Sequence, residues 1–166
     1  MLNRVIEIAK QAGNLIMEHY GETEFVSKND ESPVTAADIQ ASEYIVAQLE
    51  QHFDYPVVSE EREIPYATRK NWPTYWLVDP LDGTKDFLDR NGDFTVNIAL
   101  VEGNRPTLGV VYAPALKSCW WAQKGQGAFK DGARIHNDST RDQWIGTDSR
   151  HHSTPQTQEF LQRNNI

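Results

Sequence analysis

The chain has 166 residues, of which 39% are apolar, so it can bury a hydrophobic core and is not expected to be intrinsically disordered. Its 16 Lys and Arg residues against 24 Asp and Glu give a formal net charge of −8, which disfavours nucleic acid as a partner. The single cysteine excludes an internal disulfide, and the charged N-terminal stretch predicts neither a signal peptide nor an intrinsic membrane segment.

Two helices are predicted in the first third of the chain. Apolar residues recur at spacings of three and four over residues 2–20, which predicts a helix ending before Gly21. The polar residues 22–32 predict a loop. Thr35 and Asp38 then have the spacing of a capping box, so a second helix should begin there with Asp38 in its first turn.

After the second helix, short runs of β-branched and aromatic residues predict strands. These runs are Pro56–Ser59, Tyr75–Asp79, Phe94–Val101, Thr107–Tyr112 and Ser118–Ala122, the last of which should bury Cys119. The turn signals Gly103-Asn104 and Asp131-Gly132 favour antiparallel neighbours. A final helix is predicted over Thr154–Asn165. The expected fold is therefore α/β in layers, with two N-terminal helices packed on a largely antiparallel sheet.

The motif that carries chemistry directly follows the predicted strand over residues 75–79. Asp79-Pro-Leu-Asp-Gly-Thr84 places two carboxylates and a hydroxyl on what reads as a tight turn. Pro80 fixes its own φ and Gly83 permits an unusual one, so Asp79, the Leu81 carbonyl and Asp82 can converge. Mg²⁺ prefers such oxygen ligands and commonly shares them with substrate phosphate. The motif therefore predicts a magnesium site.

Further acidic residues favour this interpretation over an ordinary Asp-Gly bend. Glu60-Glu61 follows another short apolar strand, and Asp38 heads the second helix. A calcium-binding EF-hand loop does not fit, because the second and fourth positions after Asp79 are Leu81 and Gly83. A phosphatase that forms an aspartyl-phosphate would have its two Asp residues on either side of one residue, whereas two intervene here. Attack by water is therefore the favoured chemistry.

Taken together, these motifs resemble the inositol monophosphatase superfamily. The resemblance rests on Asp79–Thr84, on Ser59-Glu60-Glu61 and on residues 32–38, Ser-Pro-Val-Thr-Ala-Ala-Asp. Lys85-Asp86-Phe87 and the stretches 90–100 and 108–114 resemble the CysQ-type branch, the 3'(2'),5'-bisphosphate nucleotidases. Plain inositol phosphatases usually have Asn at the position of Asp86. The resemblance implies hydrolysis of the 3'-phosphate of adenosine 3',5'-bisphosphate, and a related action on 3'-phosphoadenylyl sulfate in sulfur assimilation.

The resemblance also implies roles for individual residues. Glu60, Asp79 and the backbone oxygen of Leu81 would hold a first Mg²⁺, and Asp82 would be a ligand of a second, with Asp79 bridging the two. Two or more ions are therefore expected in a complete site. The substrate, a small phosphorylated nucleotide, would contact the following residues: Glu60, Leu81, Asp82, Gly83 and Thr84.

The catalytic roles implied by the resemblance fall on three residues. Glu60 and Thr84, aided by Asp38, would orient and deprotonate the attacking water, while the backbone amides of Gly83 and Thr84 would hold the phosphate. Lys85 is a further candidate for contact with substrate. The resemblance implies a cytoplasmic protein, and relatives in Gram-negative bacteria are associated with the cytoplasmic face of the inner membrane.

The chain departs from the family pattern in one respect. Family members continue into a second α/β half with a Trp-Asp motif that completes the second metal site, and no Trp-Asp dipeptide occurs in this sequence. We therefore expect residues 1–166 to be the N-terminal portion of the domain, with the second half absent. Two alternatives stay open: an inositol phosphatase with the same fold, and a truncated chain without activity.

Overall fold

A computed structural model describes residues 1–21, 24–27, 33–137, 144–151 and 153–166. They form two compact units, Met1–Ile135 and His136–Ile166, which are described separately below. Most of the predicted loop over residues 22–32 lies outside the described residues. The assignment of residues 1–166 to the first portion of one domain stays a prediction.

The first unit contains four helices and nine strands among its described residues. The helices are α1 Leu2–Glu18, α2 Ala36–His52, α3 Tyr66–Arg69 and α4 Thr84–Leu88. The strands are β1 Val26–Ser27, β2 Pro33–Val34, β3 Val57–Ser59, β4 Thr74–Asp82, β5 Thr95–Glu102, β6 Arg105–Ala113, β7 Ser118–Gln123, β8 Gly127–Lys130 and β9 Ala133–Ile135. The two long helices and the five predicted strands are confirmed, with small shifts at their ends.

The two long helices form for the reasons that the sequence suggested. One face of α1 is buried along its whole length, from Val5 to Ile16. Gly13 lies where a Cβ atom would come within 2.5 Å of the Tyr112 ring, so the missing side chain lets α1 approach β6 closely. The capping box of α2 is confirmed, because the Thr35 hydroxyl accepts from the Asp38 amide and the Asp38 carboxylate accepts from the Thr35 amide.

Seven strands form one sheet in the order β3-β4-β5-β6-β7-β8-β9. Only β3 and β4 are parallel, and each later strand is antiparallel to its neighbour. The predicted turns Gly103-Asn104 and Asp131-Gly132 connect β5 to β6 and β8 to β9, and all four residues have positive φ. The structure adds β8 and β9, which are short and largely exposed and therefore lack the burial pattern that marks a strand in sequence.

Part of the predicted loop before α2 is a strand pair instead. Val26–Ser27 pairs with Pro33–Val34 in a separate two-stranded antiparallel sheet. β1 has only two residues and both are exposed, so it is too short to show the alternating pattern that marks a strand in sequence. This small pair leads the chain into the capping box of α2.

The two faces of the large sheet differ. One face carries the core together with α1 and α2, and its largest fully buried side chain is Trp76. The opposite face leaves Leu77 47% and Val111 39% exposed.

Cys119 is buried in β7, as predicted, and burial raises the pKa of its thiol, which disfavours a reactive thiolate.

The second unit contains α5, Pro155–Arg163, which confirms the predicted C-terminal helix. The Thr154 hydroxyl caps it by accepting from the Thr157 amide at 3.2 Å.

In the part of the chain that the structure describes, no helix has the length and apolar character needed to cross a membrane. The cytoplasmic location stays a prediction.

Candidate metal and active site

The acidic end of β4 is an irregular strand and not the tight turn that the sequence indicated. The strand continues through Asp82, with Asp79 opposite Asn97 and Asp82 opposite Thr95. From Asp79 to Asp82 the chain advances by three residues in β4, whereas the paired residues of β5, Asn97 and Thr95, are only two apart. The register of the pairing therefore shifts between the two carboxylates. Proline and glycine in the motif favour a turn in sequence, but the pairing with β5 keeps this segment in the sheet.

The chain turns only at Gly83, the residue for which the sequence predicted an unusual φ. Gly83 has a φ of 97°, in the left-handed region that glycine adopts without strain. A Cβ atom at this position would lie 2.9 Å from the Asp93 carbonyl oxygen and 3.3 Å from the Phe94 Cα. The motif therefore needs glycine here both for its backbone conformation and for the close approach of the loop before β5.

Asp79 is the most electrostatically perturbed carboxyl group of the site. Its Oδ1 is buried and has no hydrogen-bond partner among the described residues. Burial is the largest cause of its raised pKa, followed by the negative charges of Glu60 and Asp82 and by a side-chain hydrogen bond with Glu60, and together they raise the pKa of Asp79 to about 7. A backbone hydrogen bond from Leu81 opposes this rise. A buried carboxylate oxygen without a partner, beside two more acidic groups, is a favourable position for a cation.

The parallel pairing of β3 with β4 brings Glu60 next to Asp79. Ser59 is opposite Val78, and the Glu60 amide donates to the Val78 carbonyl at 3.1 Å. Glu60 and Asp82 are exposed, whereas the Leu81 side chain is buried. Among the described residues, no three side chains of His, Cys, Asp or Glu are arranged to hold a metal ion by themselves. Any ion here would need the Leu81 carbonyl, water or substrate oxygens as well, which is the usual coordination of Mg²⁺.

Asp38 and Thr84 are joined across 46 residues of sequence. The Thr84 hydroxyl donates to Asp38 Oδ1 at 3.0 Å and lies 3.3 Å from the Leu81 carbonyl oxygen. Asp38 is only 1% exposed, and its Oδ2 accepts from the Thr35 amide at 2.8 Å and from the Thr35 hydroxyl at 2.5 Å. Burial raises the pKa of Asp38, while the bonds from Thr35 and Thr84 oppose that rise. Asp38 therefore links the start of α2 to the start of α4.

The other residues of the motif lie around this centre. Gly83 and Thr84 are half-buried at the beginning of α4, and Lys85 follows them in the same state. The Asp86 carboxylate accepts from the Asn91 side-chain amide, which joins the helix to the loop before β5. Asp89 is exposed at the end of α4. The predicted roles of these residues toward substrate stay predictions.

Asn97 belongs to the site, although no role was predicted for it from the sequence. Its side-chain amide donates to Asp82 Oδ2 at 2.9 Å, and its Oδ1 accepts from the Thr95 hydroxyl at 3.0 Å. A signal was present in the sequence, since Asn97 is a polar residue between Val96 and Ile98 in an otherwise apolar strand. Its position opposite Asp79 could not be known before the register of β4 and β5.

A cavity of about 420 Å³ lies against the sheet face at this end of β4. Glu60, Asp79 and Asn97 contribute to one part of its lining, and Val58, Leu77, Ala99 and Val111 contribute apolar surface. The acidic groups therefore adjoin a space that is large enough for a small organic ligand and not only for an ion.

Comparisons with known proteins place these features in a wider group. A family model described as "Inositol monophosphatase family" matches residues 1–165. The chain is 45% identical to the 3'(2'),5'-bisphosphate nucleotidase CysQ of Salmonella typhimurium and 44% identical to the protein of the same name in Escherichia coli K12. Each alignment covers 98% of this chain and 69% of the relative.

Two solved structures extend the comparison. CysQ from Bacteroides thetaiotaomicron, a bacterial member of the inositol monophosphatase family, has a TM-score of 0.83 and 38% identity, covering 98% of this chain and 67% of that one. An IMPase/NADP phosphatase complexed with Mg²⁺ and phosphate has a TM-score of 0.66 and 27% identity, covering 75% of this chain and 48% of that one. The chain thus spans just over two thirds of the length of the CysQ proteins from Salmonella typhimurium and Escherichia coli K12.

Proposed function

This chain belongs to the inositol monophosphatase family, and from that premise we propose that it acts as a Mg²⁺-dependent phosphatase on the 3'-phosphate of adenosine 3',5'-bisphosphate. The observation that carries the proposal is the buried Oδ1 of Asp79, which has no hydrogen-bond partner among the described residues and lies in a carboxylate that feels the charges of Glu60 and Asp82. The names of the two CysQ relatives support a bisphosphate nucleotide as the substrate. 3'-Phosphoadenylyl sulfate carries a phosphate at the same position and is proposed as a second substrate, which would give the protein a role in sulfur assimilation.

The residues divide into those that hold metal and those that prepare water. Glu60, Asp79 and the Leu81 carbonyl would hold one Mg²⁺, and Asp82 would contribute to a second site that shares Asp79. When bound, the ions supply positive charge that stabilises the attacking and leaving oxygens of the phosphate ester. The exposed position of Asp82 suits a ligand that is completed by groups outside this set.

Thr84 is proposed to orient the attacking water. Because its hydroxyl proton is directed to Asp38 Oδ1, its oxygen retains a lone pair that can accept a hydrogen bond from water. Glu60 would take the proton of that water as a general base. Asp38 has no direct role toward the phosphate in this proposal, since it is 1% exposed and acts by fixing Thr84.

The choice between a nucleotide and an inositol phosphate depends on the residues after the motif. Lys85-Asp86 and Asn91-Gly92 resemble the nucleotidase branch, and this resemblance supports the nucleotide. In the structure the two segments are in contact, since the Asp86 carboxylate accepts from the Asn91 side-chain amide. Inositol monophosphate is kept as the second candidate because the family as a whole is named for it.

The test is phosphate release by the purified chain. Adenosine 3',5'-bisphosphate and inositol 1-phosphate would be supplied in parallel, each with Mg²⁺ and with a chelator. Asp79→Asn removes the proposed bridging ligand, and Asp54→Asn is a matched control at an exposed site near the end of α2. We expect Mg²⁺-dependent release from the nucleotide that Asp79→Asn abolishes and Asp54→Asn retains.

Other outcomes of this assay have defined meanings. Faster release from inositol phosphate would replace the nucleotide by the second candidate. A folded chain that releases phosphate from neither substrate would support the inactive alternative. Release that persists in the chelator would contradict the metal site itself.

A further inference from the structure

A second cavity lies at the other end of β4, away from the acidic residues. Its volume is about 200 Å³. Three aromatic side chains line it, Tyr66, Trp72 and Tyr75, together with two cations, Arg69 and Lys70. Asn104, from the turn between β5 and β6, adds an amide. No acidic side chain lines this cavity, although acidic residues outnumber basic ones in the chain.

In the part of the chain that the structure describes, the two cations of this cavity are not paired with carboxylates. The Arg69 guanidinium carbon lies 5.5 Å from the centroid of the Tyr66 ring, and its Nε donates to the Ile64 carbonyl at 3.3 Å. Within the described residues neither Arg69 nor Lys70 forms a salt bridge, whereas Arg4 and Arg62 pair with Glu7 and Glu50. In a chain of net charge −8, two adjacent unpaired cations at a concave surface create a local preference for an anion.

Backbone hydrogen bonds hold the walls of the cavity in place. The Lys70 amide donates to the Tyr66 carbonyl at 2.9 Å, and the Trp72 amide donates to the Arg69 carbonyl at 3.1 Å. The Gly103 amide donates to the Pro73 carbonyl at 2.9 Å, which fixes the turn that carries Asn104. The aromatic and cationic groups therefore project from backbone that is already ordered, which lowers the entropic cost of binding.

We propose that this cavity binds a small oxyanion attached to a single flat ring, at a site separate from the candidate active site. Arg69 and Lys70 would bind a phosphate, phosphonate or carboxylate group by charge-assisted hydrogen bonds. The aromatic side chains would contact the faces or edges of the ring. The volume is below the roughly 300 Å³ at which pockets for drug-sized ligands begin, so the ligand has one ring and not a fused system.

A binding experiment without Mg²⁺ tests this site independently of catalysis. Phenylphosphonate, which has no ester bond to hydrolyse, would be titrated into the ¹⁵N-labelled chain in the presence of a chelator. The reporter is the indole N–H resonance of Trp72, assigned with Trp72→Phe. We expect a saturable shift of this resonance. Arg69→Gln combined with Lys70→Gln should weaken the affinity about tenfold or more.

The controls separate this proposal from general charge effects. Lys117→Gln combined with Lys124→Gln makes the same change of net charge in exposed turns and should leave the affinity unchanged. Inorganic phosphate should bind through the same two cations but more weakly, and benzyl alcohol should not bind. The proposal is overturned if Trp72 does not respond to phenylphosphonate, if the Arg69/Lys70 variant binds as tightly as the original chain, or if benzyl alcohol binds equally well.

Discussion

The two faces of β4 differ in what they contribute, one to the hydrophobic core and the other to the candidate site. Trp76 and Val78 point to the helices and are almost completely buried, whereas Leu77 and Asp79 belong to the opposite face, where the acidic groups and the larger cavity lie. Because side chains alternate along a strand, residues that are neighbours in sequence contribute separately to the stability of the fold and to its proposed chemistry. Substitutions on one face should therefore leave the property of the other face nearly intact.

The largest expected effect is on the chemical face. Asp79→Asn should lower Mg²⁺-dependent phosphate release about 1,000-fold, because the proposed electrostatic stabilisation, about 4 kcal/mol, depends on this carboxylate. Above about pH 7 the melting temperature in chelator should not fall, since the substitution there removes a charge that Glu60 and Asp82 repel. Phosphate release and thermal unfolding of the same preparation measure both properties. Normal turnover would contradict the role of Asp79, and a large loss of stability would contradict the separation of the two faces.

A substitution on the helix-covered face of β4 should instead lower the stability of the fold. Trp76→Ala removes a fully buried side chain whose ring centroid is 5.2 Å from that of Phe53. We expect a loss of about 3 kcal/mol in the free energy of unfolding, at the low end for a buried aromatic residue. The low value follows because the Trp76 Nε1 has no hydrogen-bond partner within the described residues, so its removal relieves that cost. Urea unfolding measures the change, and a loss below about 1 kcal/mol would show that this part of the core is loosely packed.

A smaller effect is expected from the residue that positions Asp82. Asn97→Ala removes the 2.9 Å hydrogen bond to Asp82 Oδ2 and should weaken Mg²⁺ binding about tenfold. The free energy of unfolding should change by less than about 1 kcal/mol, because the Asn97 side chain lies on the face away from the helices. Calorimetric titration of Mg²⁺ without substrate gives the affinity. Unchanged binding would leave Asn97 with a purely structural role.

The pH dependence of the metal-free chain sharpens the comparison further. The pKa of Asp79 is raised to about 7, so its carboxyl group keeps its proton in the folded state at pH values where the unfolded chain has lost it. Stability from this group is therefore complete below about pH 4 and is lost as the pH rises to about 7. Between about pH 4 and pH 7, in chelator, we expect the melting temperature of the original chain to fall by about 2–4 °C more than the melting temperature of the Asp79→Asn variant. Identical pH profiles would contradict the raised pKa.

The smallest effect is expected outside both faces. Asp89 is exposed at the end of α4. Asp89→Asn should therefore change the free energy of unfolding by less than about 0.5 kcal/mol and should leave turnover within about twofold. Thermal unfolding and phosphate release together measure both effects. A larger loss of turnover would extend the site beyond the residues described above.

Local patterns in the sequence predicted much of this fold. The periodicity of α1 and the Thr35–Asp38 capping box depend on residues within one or two turns, so they could be recognised without knowledge of the tertiary structure. The layered α/β class followed from the same patterns. The hairpins β5–β6 and β8–β9 were marked by their turn residues, whereas the weakly buried β8 and β9 carried no strand pattern of their own.

The candidate site could be predicted only in part. Its acidic motif is local, but the extension of β4 through Asp82 depends on pairing with β5, which overrides the turn tendency of the sequence. The role of Asn97 depends on the same register. The contact of Asp38 with Thr84 spans 46 residues, and only the family resemblance suggested that they cooperate. Tertiary contacts of this kind leave no spacing to recognise in the sequence.

The Ser42–Ser59 hydrogen bond has a consequence for how the site is assembled. The two hydroxyl oxygens are 2.8 Å apart and buried, and they join α2 to β3. Asp38 lies four residues before Ser42, and Glu60 directly follows Ser59. One hydrogen bond therefore connects the segment that carries Asp38 with the segment that carries Glu60. A fluctuation that lifts α2 from the sheet would break this contact and carry Asp38 away from Thr84, whereas Glu60 would stay beside Asp79 because β3 is paired with β4. The part of the proposed active site that prepares water therefore depends on the docking of a single helix.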